Sequence, residues 1–144
     1  LGKIDRIKEI IDEIVYHTEQ ESKLSNLPFP YLASFLLTYN WSSPPIVLNF
    51  EVLNQGEVKN VSDEEITSWL KQFINILEST VDEWSSNFLT VSIDANEEWI
   101  RFIFDFNGIL KEKEPIQQFL EENKKYITHF EQDTQSFILE ARLH

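Results

Sequence analysis

Two segments that alternate strictly between apolar and polar residues constrain this chain more than anything else in it. Residues 88–95 (FLTVSIDA) place Leu89, Val91, Ile93 and Ala95 on one face, and residues 99–106 (WIRFIFDF) do the same with Ile100, Phe102, Phe104 and Phe106. A period of two is that of a half-buried strand, and Asn96-Glu97-Glu98 between the segments makes a short polar turn. The pair predicts an antiparallel hairpin with one apolar face, and helices have to cover that face from one side.

The cover is found just upstream. Ser62-Asp63-Glu64-Glu65 reads as a capping box, with three acids in the first turn to complement the positive end of a helix dipole. Behind it Ile66, Trp69, Leu70, Phe73, Ile74, Leu77, Val81 and Trp84 recur at helical spacing, which predicts a central helix running to about residue 84. Residues 3–21 carry Ile4, Ile7, Ile11, Ile14 and Val15 on one helical face. Residues 46–53 alternate as a strand, with residues 57–61 as a short partner strand beyond the turn at Gly56. The aromatic run 31–39 reads as a strand, although Leu32, Phe35 and Leu36 also suit a short helix. A third helix opens at Pro115 and carries Ile116, Phe119, Leu120, Ile127 and Phe130; residues 135–143 fit a continued helix or a strand, with helix preferred. The expected fold is α+β, a single domain over residues 1–144 with an antiparallel sheet of four or five strands against about three helices.

Chemistry is hard to find in this sequence. It contains no cysteine, which excludes disulfides and thiolate sites and fits a reducing cytoplasm. Its three glycines (Gly2, Gly56 and Gly108) are isolated, so no Gly-rich phosphate loop can form. No G-x-S-x-G elbow is present, and no second histidine stands at helical metal spacing from His17, His129 or His144. The Glu13–His17 pair reads as a helix-surface ion pair, while Asp94 and Asp105 on the hairpin read as paired or solvated. No catalytic, cofactor-binding or metal-ligating residue is therefore expected.

The net charge is −13, and residues 51–98 hold eleven acids against two bases, Lys59 and Lys71. Such a surface repels phosphate backbones and anionic membranes, so nucleic-acid and lipid binding are not expected. It serves solubility, or it attracts a basic partner protein. Trp41, Trp84 and Trp99 fall at element ends, and tryptophan is enriched in interface hot spots.

The block from residue 46 to 107, with a long helix ending near Trp84 and a hairpin ending Phe104-Asp105-Phe106-Asn107, resembles the YezG/EsaG type of immunity proteins. These are acidic α+β antitoxins of Firmicutes that neutralise secreted toxins with nuclease domains. The Pro-rich entry at residues 28–45 departs from that family, and no Trp-containing segment follows residue 115. The resemblance implies a non-enzymatic immunity protein that occludes a basic nuclease-type toxin domain. Asp63, Glu64, Glu97 and Glu98 would then supply charge, and Trp99 an aromatic anchor. Two other readings stay open. One is a ligand-binding or enzymatic domain whose site is assembled from residues distant in sequence, and the other a homo-oligomeric scaffold.

Overall fold

The computed structural model describes residues 2–144. The elements run α1 (Gly2–Ser25), α2 (Pro30–Thr38), a 3-10 turn (Tyr39–Ser42), β1 (Val47–Gln55), α3 (Asp63–Thr80), β2 (Phe88–Ala95), β3 (Ile100–Asn107), α4 (Glu114–Glu122), β4 (Ile127–Gln132) and β5 (Ser136–Leu143). The α+β class and the five-stranded sheet agree with expectation. The sheet order is β1-β2-β3-β5-β4, antiparallel throughout except that β1 pairs with β2 in parallel. A parallel pair needs a long crossover, and α3 provides it, so the sheet is mixed rather than purely antiparallel.

The predicted hairpin forms in full register, from Phe88 opposite Asn107 to Ala95 opposite Ile100. Its apolar face packs on α3, whose Ile66, Leu70, Phe73, Ile74 and Leu77 are buried. The contact is aromatic at its centre. The Phe73 ring lies 4.4 Å from Phe104 and 5.3 Å from Phe119 of α4, and Trp69 lies 5.5 Å from Phe119. Trp69 stays in the core because its indole N–H donates to Asn123 Oδ1 at 3.0 Å.

Residues 31–39 are helical, contrary to the strand reading. Pro30 is pre-set for a first helical turn, and Leu32, Ala33 and Leu36 bury one face. The deciding contact is remote in sequence. No side chain of its own caps α2; instead the Asp63 carboxylate accepts the N–H groups of Tyr31 (2.7 Å) and Leu32 (3.1 Å). Asp63 opens α3 as well, where Ser62 and Glu65 form the predicted capping box.

Four further expectations need correction. Residues 57–61 form no strand, since the chain makes only scattered bonds there, from Gly56 N–H to Ala95 O and from Lys59 N–H to Glu97 O. The central helix ends at Thr80, after which Val81 turns extended and bridges Leu110, leaving Trp84 90% exposed. The third helix stops at Glu122, and Ile127 and Phe130 belong to β4. Residues 136–143 are a strand, with Phe137, Leu139, Ala141 and Leu143 buried at a period of two.

The loop end of the sheet is organised by Asn87, which is buried. Its Nδ2 donates to Asp82 O and Ser85 O, and its Oδ1 accepts the Ile109 N–H. Gly108 lies against it so closely that a Cβ there would stand 2.3 Å from Asn87 Oδ1 and 2.8 Å from Phe106 Cζ.

Two stability measurements check this account. Gly108→Ala should cost about 2 kcal/mol or more in urea unfolding, whereas Gly2→Ala, with nothing within 4 Å, should stay within about 0.5 kcal/mol of the parent. Asp63→Ala should lose about 1–2 kcal/mol, because two α2 N–H groups lose their acceptor; an unchanged midpoint would show that this cap contributes nothing.

Candidate functional site

Three surfaces stand out once the core is accounted for. The first is α1. Only Gln20 and Leu24 of this 24-residue helix are buried, while Ile4, Ile7, Ile11, Ile14 and Val15 are about half exposed or more. The 3-4-3 spacing of the four isoleucines is that of a heptad a/d seam. Its C-terminal end is anchored to the sheet edge, where Gln20 Oε1 accepts the Val52 N–H at 2.7 Å and Gln55 Nε2 donates to Lys23 O at 3.1 Å.

The second is a groove of about 810 Å³ between α2 and α3, lined by Tyr31, Glu64, Thr67, Lys71 and Asn75 among others. Behind it Lys71 Nζ sits 5.4 Å from the Phe35 ring, and the Tyr39 hydroxyl donates to Glu78 at 2.8 Å. Burial, and then the Glu78 carboxylate, push the Tyr39 phenol far above its ordinary range, so it stays protonated as a donor. The groove offers one cation, one carboxylate, hydroxyls and amides, and no glycine lines it.

The third lies on the sheet face opposite the helices and at its end. Arg101 bonds Asp94 at 2.9 Å and Glu140 at 3.2 Å, and Asn54 donates to Asp94 at 2.8 Å, so one polar row ties β1, β2, β3 and β5 together. Next to this row a hollow of about 350 Å³ is walled by Trp99, Lys125, Tyr126 and Arg142, with Glu98 at its margin. The Arg142 guanidinium lies 4.7 Å from the Trp99 ring.

The five residues expected to meet a partner fall into two groups. Asp63 is turned inward to cap α2, and Glu64 is exposed beside the α2–α3 groove. Glu97 pairs loosely with Lys59 at 3.8 Å, both exposed, while Glu98 is exposed and Trp99 is half-buried under Arg142. Sequence reasoning missed Lys125 and Tyr126, because the third helix was extended through them to Phe130, and Arg142, because helix was preferred over strand for residues 135–143. The alternation of Phe137, Leu139, Ala141 and Leu143 was the signal that could have placed Arg142 on the strand's outer face. Among the described residues no group of three His, Asp or Glu side chains could hold a metal ion, and no helix is long and apolar enough to cross a membrane.

Comparison with known proteins gives the context. The family described as "Sporulation initiation phospho-transferase B, C-terminal" matches residues 28–144. Sporulation initiation phosphotransferase B of Bacillus subtilis (strain 168) is 38% identical over 112 residues, which cover 75% of this chain and 57% of that protein. The chain thus spans little more than half the length of this relative. Among solved structures, the Acinetobacter baumannii histidine kinase AdeS matches with a TM-score of 0.56 at 10% identity, covering 99% of this chain and 82% of its own. The catalytic domain of histidine kinase ThkA matches with a TM-score of 0.51 at 9% identity over 79% of this chain and 90% of its own. At such identities these two likenesses concern the fold alone.

The family match overturns the immunity-protein resemblance. It takes in residues 46–107, which carried that resemblance, and also the Pro-rich entry and the C-terminal segment that departed from it. The non-enzymatic antitoxin and its basic nuclease-toxin partner are withdrawn with it. The physical reason is that acidity was counted without asking what each acid does: Asp63, Glu65, Glu78, Asp94 and Glu140 all have partners inside the chain. With residues 28–144 matched and more than a third of the aligned positions identical, this chain belongs to the family of sporulation initiation phosphotransferase B C-terminal regions.

Proposed function

We propose that this chain is the C-terminal part of a cytoplasmic phosphotransferase of sporulation initiation, which moves a phosphoryl group between protein side chains rather than taking it from a nucleotide. The observation that carries the reading is the 38% identity to the Bacillus subtilis phosphotransferase, within a family match over residues 28–144. The choice of donor rests on the residues themselves. Nucleotide phosphates call for backbone amides in a Gly-rich loop or for clustered cations. Here Gly56 is packed against the Ala95 backbone and Gly108 against Asn87 and Phe106, and the α2–α3 groove has Lys71 as its one cation, opposed by Glu64. The fold is shared with histidine kinases, but these phosphate-binding features are not found where the groove lies.

The reacting group is then carried by the part of the protein that this chain does not span. The described residues offer a weak nucleophile–base arrangement, His129 with Glu131 at 3.1 Å, and both are open to solvent. This chain contributes the scaffold and the contact surfaces. Glu64 and Glu98 are exposed and have no ion pair among the described residues, so they remain available to a phosphoryl-transfer partner. The α1 seam supplies assembly. Isoleucine at both a and d positions favours bundles of more than two helices. The flanking Lys3, Arg6 and Lys8 against Asp5, Glu9, Asp12 and Glu13 suit pairing with the same helix of a second copy.

Two measurements test this reading. In the full-length protein, radiolabel should arrive from a phosphorylated protein donor of the same organism and pass on to a protein acceptor. Label taken up from ATP alone at a comparable rate would overturn the choice of donor. In sedimentation equilibrium the chain should self-associate, and Ile7→Asp with Ile11→Asp should make it monomeric while changing the unfolding free energy of the folded body by less than about 0.5 kcal/mol. A parent chain that is already monomeric at about 100 µM would remove α1 as a pairing helix.

A further inference from the structure

We propose that the hollow walled by Trp99, Tyr126, Lys125 and Arg142 is a binding site for a small planar molecule that carries one oxyanion, a carboxylate or a phosphate ester. The inference does not rest on the phosphoryl-transfer reading, because the site lies on the opposite side of the sheet from the α2–α3 groove and uses none of its residues.

Arg142 provides the first argument. Its guanidinium has five N–H groups in a fixed fork, which suits the two oxygens of a carboxylate or phosphate. The nearest carboxylate, Glu140, is 3.9 Å from Nη2, beyond hydrogen-bond reach, and already bonds Arg101 at 3.2 Å. Arg142 Nε is buried and has no acceptor. A half-exposed arginine with unspent donors at the wall of a hollow is an unfinished contact, and an oxyanion completes it. Arg101, its neighbour across the β3–β5 register, also has a buried Nε without an acceptor, but its terminal nitrogens are taken up by two carboxylates, whereas those of Arg142 have none within hydrogen-bond reach.

The walls give the second argument. Two aromatic rings from different elements converge here, each with a cation over it: Arg142 at 4.7 Å from Trp99, and Lys125 at 4.8 Å from Tyr126. A guanidinium lying on an indole is held flat, and its edge stays free to bind. The volume of about 350 Å³ suits a small molecule and falls at the lower end of the usual ligand-pocket range of roughly 300–1,000 Å³. Two cations therefore meet Glu98 as the lining carboxylate, in a chain whose overall charge is −13. Such a local reversal selects the anionic end of a ligand and leaves its planar body for the rings.

The test is a titration of the full chain followed by the Trp99 indole N–H resonance, assigned with Trp99→Phe. Phenyl phosphate, benzoate and inorganic phosphate serve as probes, each up to about 10 mM. We expect a saturating shift with phenyl phosphate or benzoate, and the tighter of the two identifies phosphate ester or carboxylate as the anionic group. Arg142→Gln should weaken that binding about tenfold or more, and Lys125→Gln, at an exposed position that folding does not need, should weaken it by a smaller factor. Lys111→Gln, exposed at the opposite end of the sheet where its N–H bonds Thr80 O, should leave it unchanged. No saturation with either aromatic probe overturns the site. Inorganic phosphate binding as tightly as phenyl phosphate overturns the planar ligand, and equal losses in Lys111→Gln and Arg142→Gln overturn the location in favour of general charge attraction.

Discussion

The packing of α3 on the β2–β3 hairpin is the interaction on which the rest of this structure depends. Phe73 sits between Phe104 and Phe119, so one side chain joins the central helix, the sheet and α4. Each of these elements is too short or too narrow to bury its own apolar face. Together they exclude water from a core of six fully buried phenylalanines, and that many aromatic rings gain from mutual contact as well as from burial. The consequences spread outward from this seam. The start of α3 places Asp63 under α2, and its end places Val81 against Leu110, so both neighbouring segments are located by the ends of one helix.

The parts of the fold that sequence reasoning reached are those whose signal is local. The alternation of residues 88–95 and 100–106, and the capping box at Ser62, each fit within one element and were read correctly. The parts it missed depend on distant contacts. Nothing within residues 30–38 shows that Asp63 will cap them, so a short aromatic run without its own cap looked like a strand. Residues 136–143 carried a clear period of two, but the helical stripe just before them was extended too far, across Asn123. That one error also hid Arg142 and its place beside Trp99. The charge was misread for a related reason: composition counts acids, whereas function depends on which acids are left without an internal partner.

Family membership and fold pull the functional reading in compatible directions. The sheet and its helices have the arrangement of histidine kinase structures, while the relative with substantial sequence identity is named as a phosphotransferase. A shared fold does not fix chemistry, because the arrangement of sheet and helices does not dictate which side chains line its surfaces. In this chain the groove is lined by hydroxyls and amides around a single Lys–Glu pair of charges, Lys71 and Glu64. The chain as a whole carries a net charge of −13, whereas the hollow at the end of the sheet is lined by two cations, Lys125 and Arg142, against Glu98.

The hydrogen bond from Val52 to Gln20 has a further meaning. β1 is an edge strand, and Val47 and Leu53 stand exposed along it, so its free N–H and C=O groups would be a template for pairing with another chain. The last two turns of α1 lie over that edge and fill one of its donors with a side-chain amide, which cannot propagate a β-ladder. α1 is therefore a sheath as well as a projecting arm. A fragment trimmed to the matched residues 28–144 would lose this sheath together with the core residues Leu24 and Leu27, and it would be prone to edge-to-edge fibre formation that the longer chain resists.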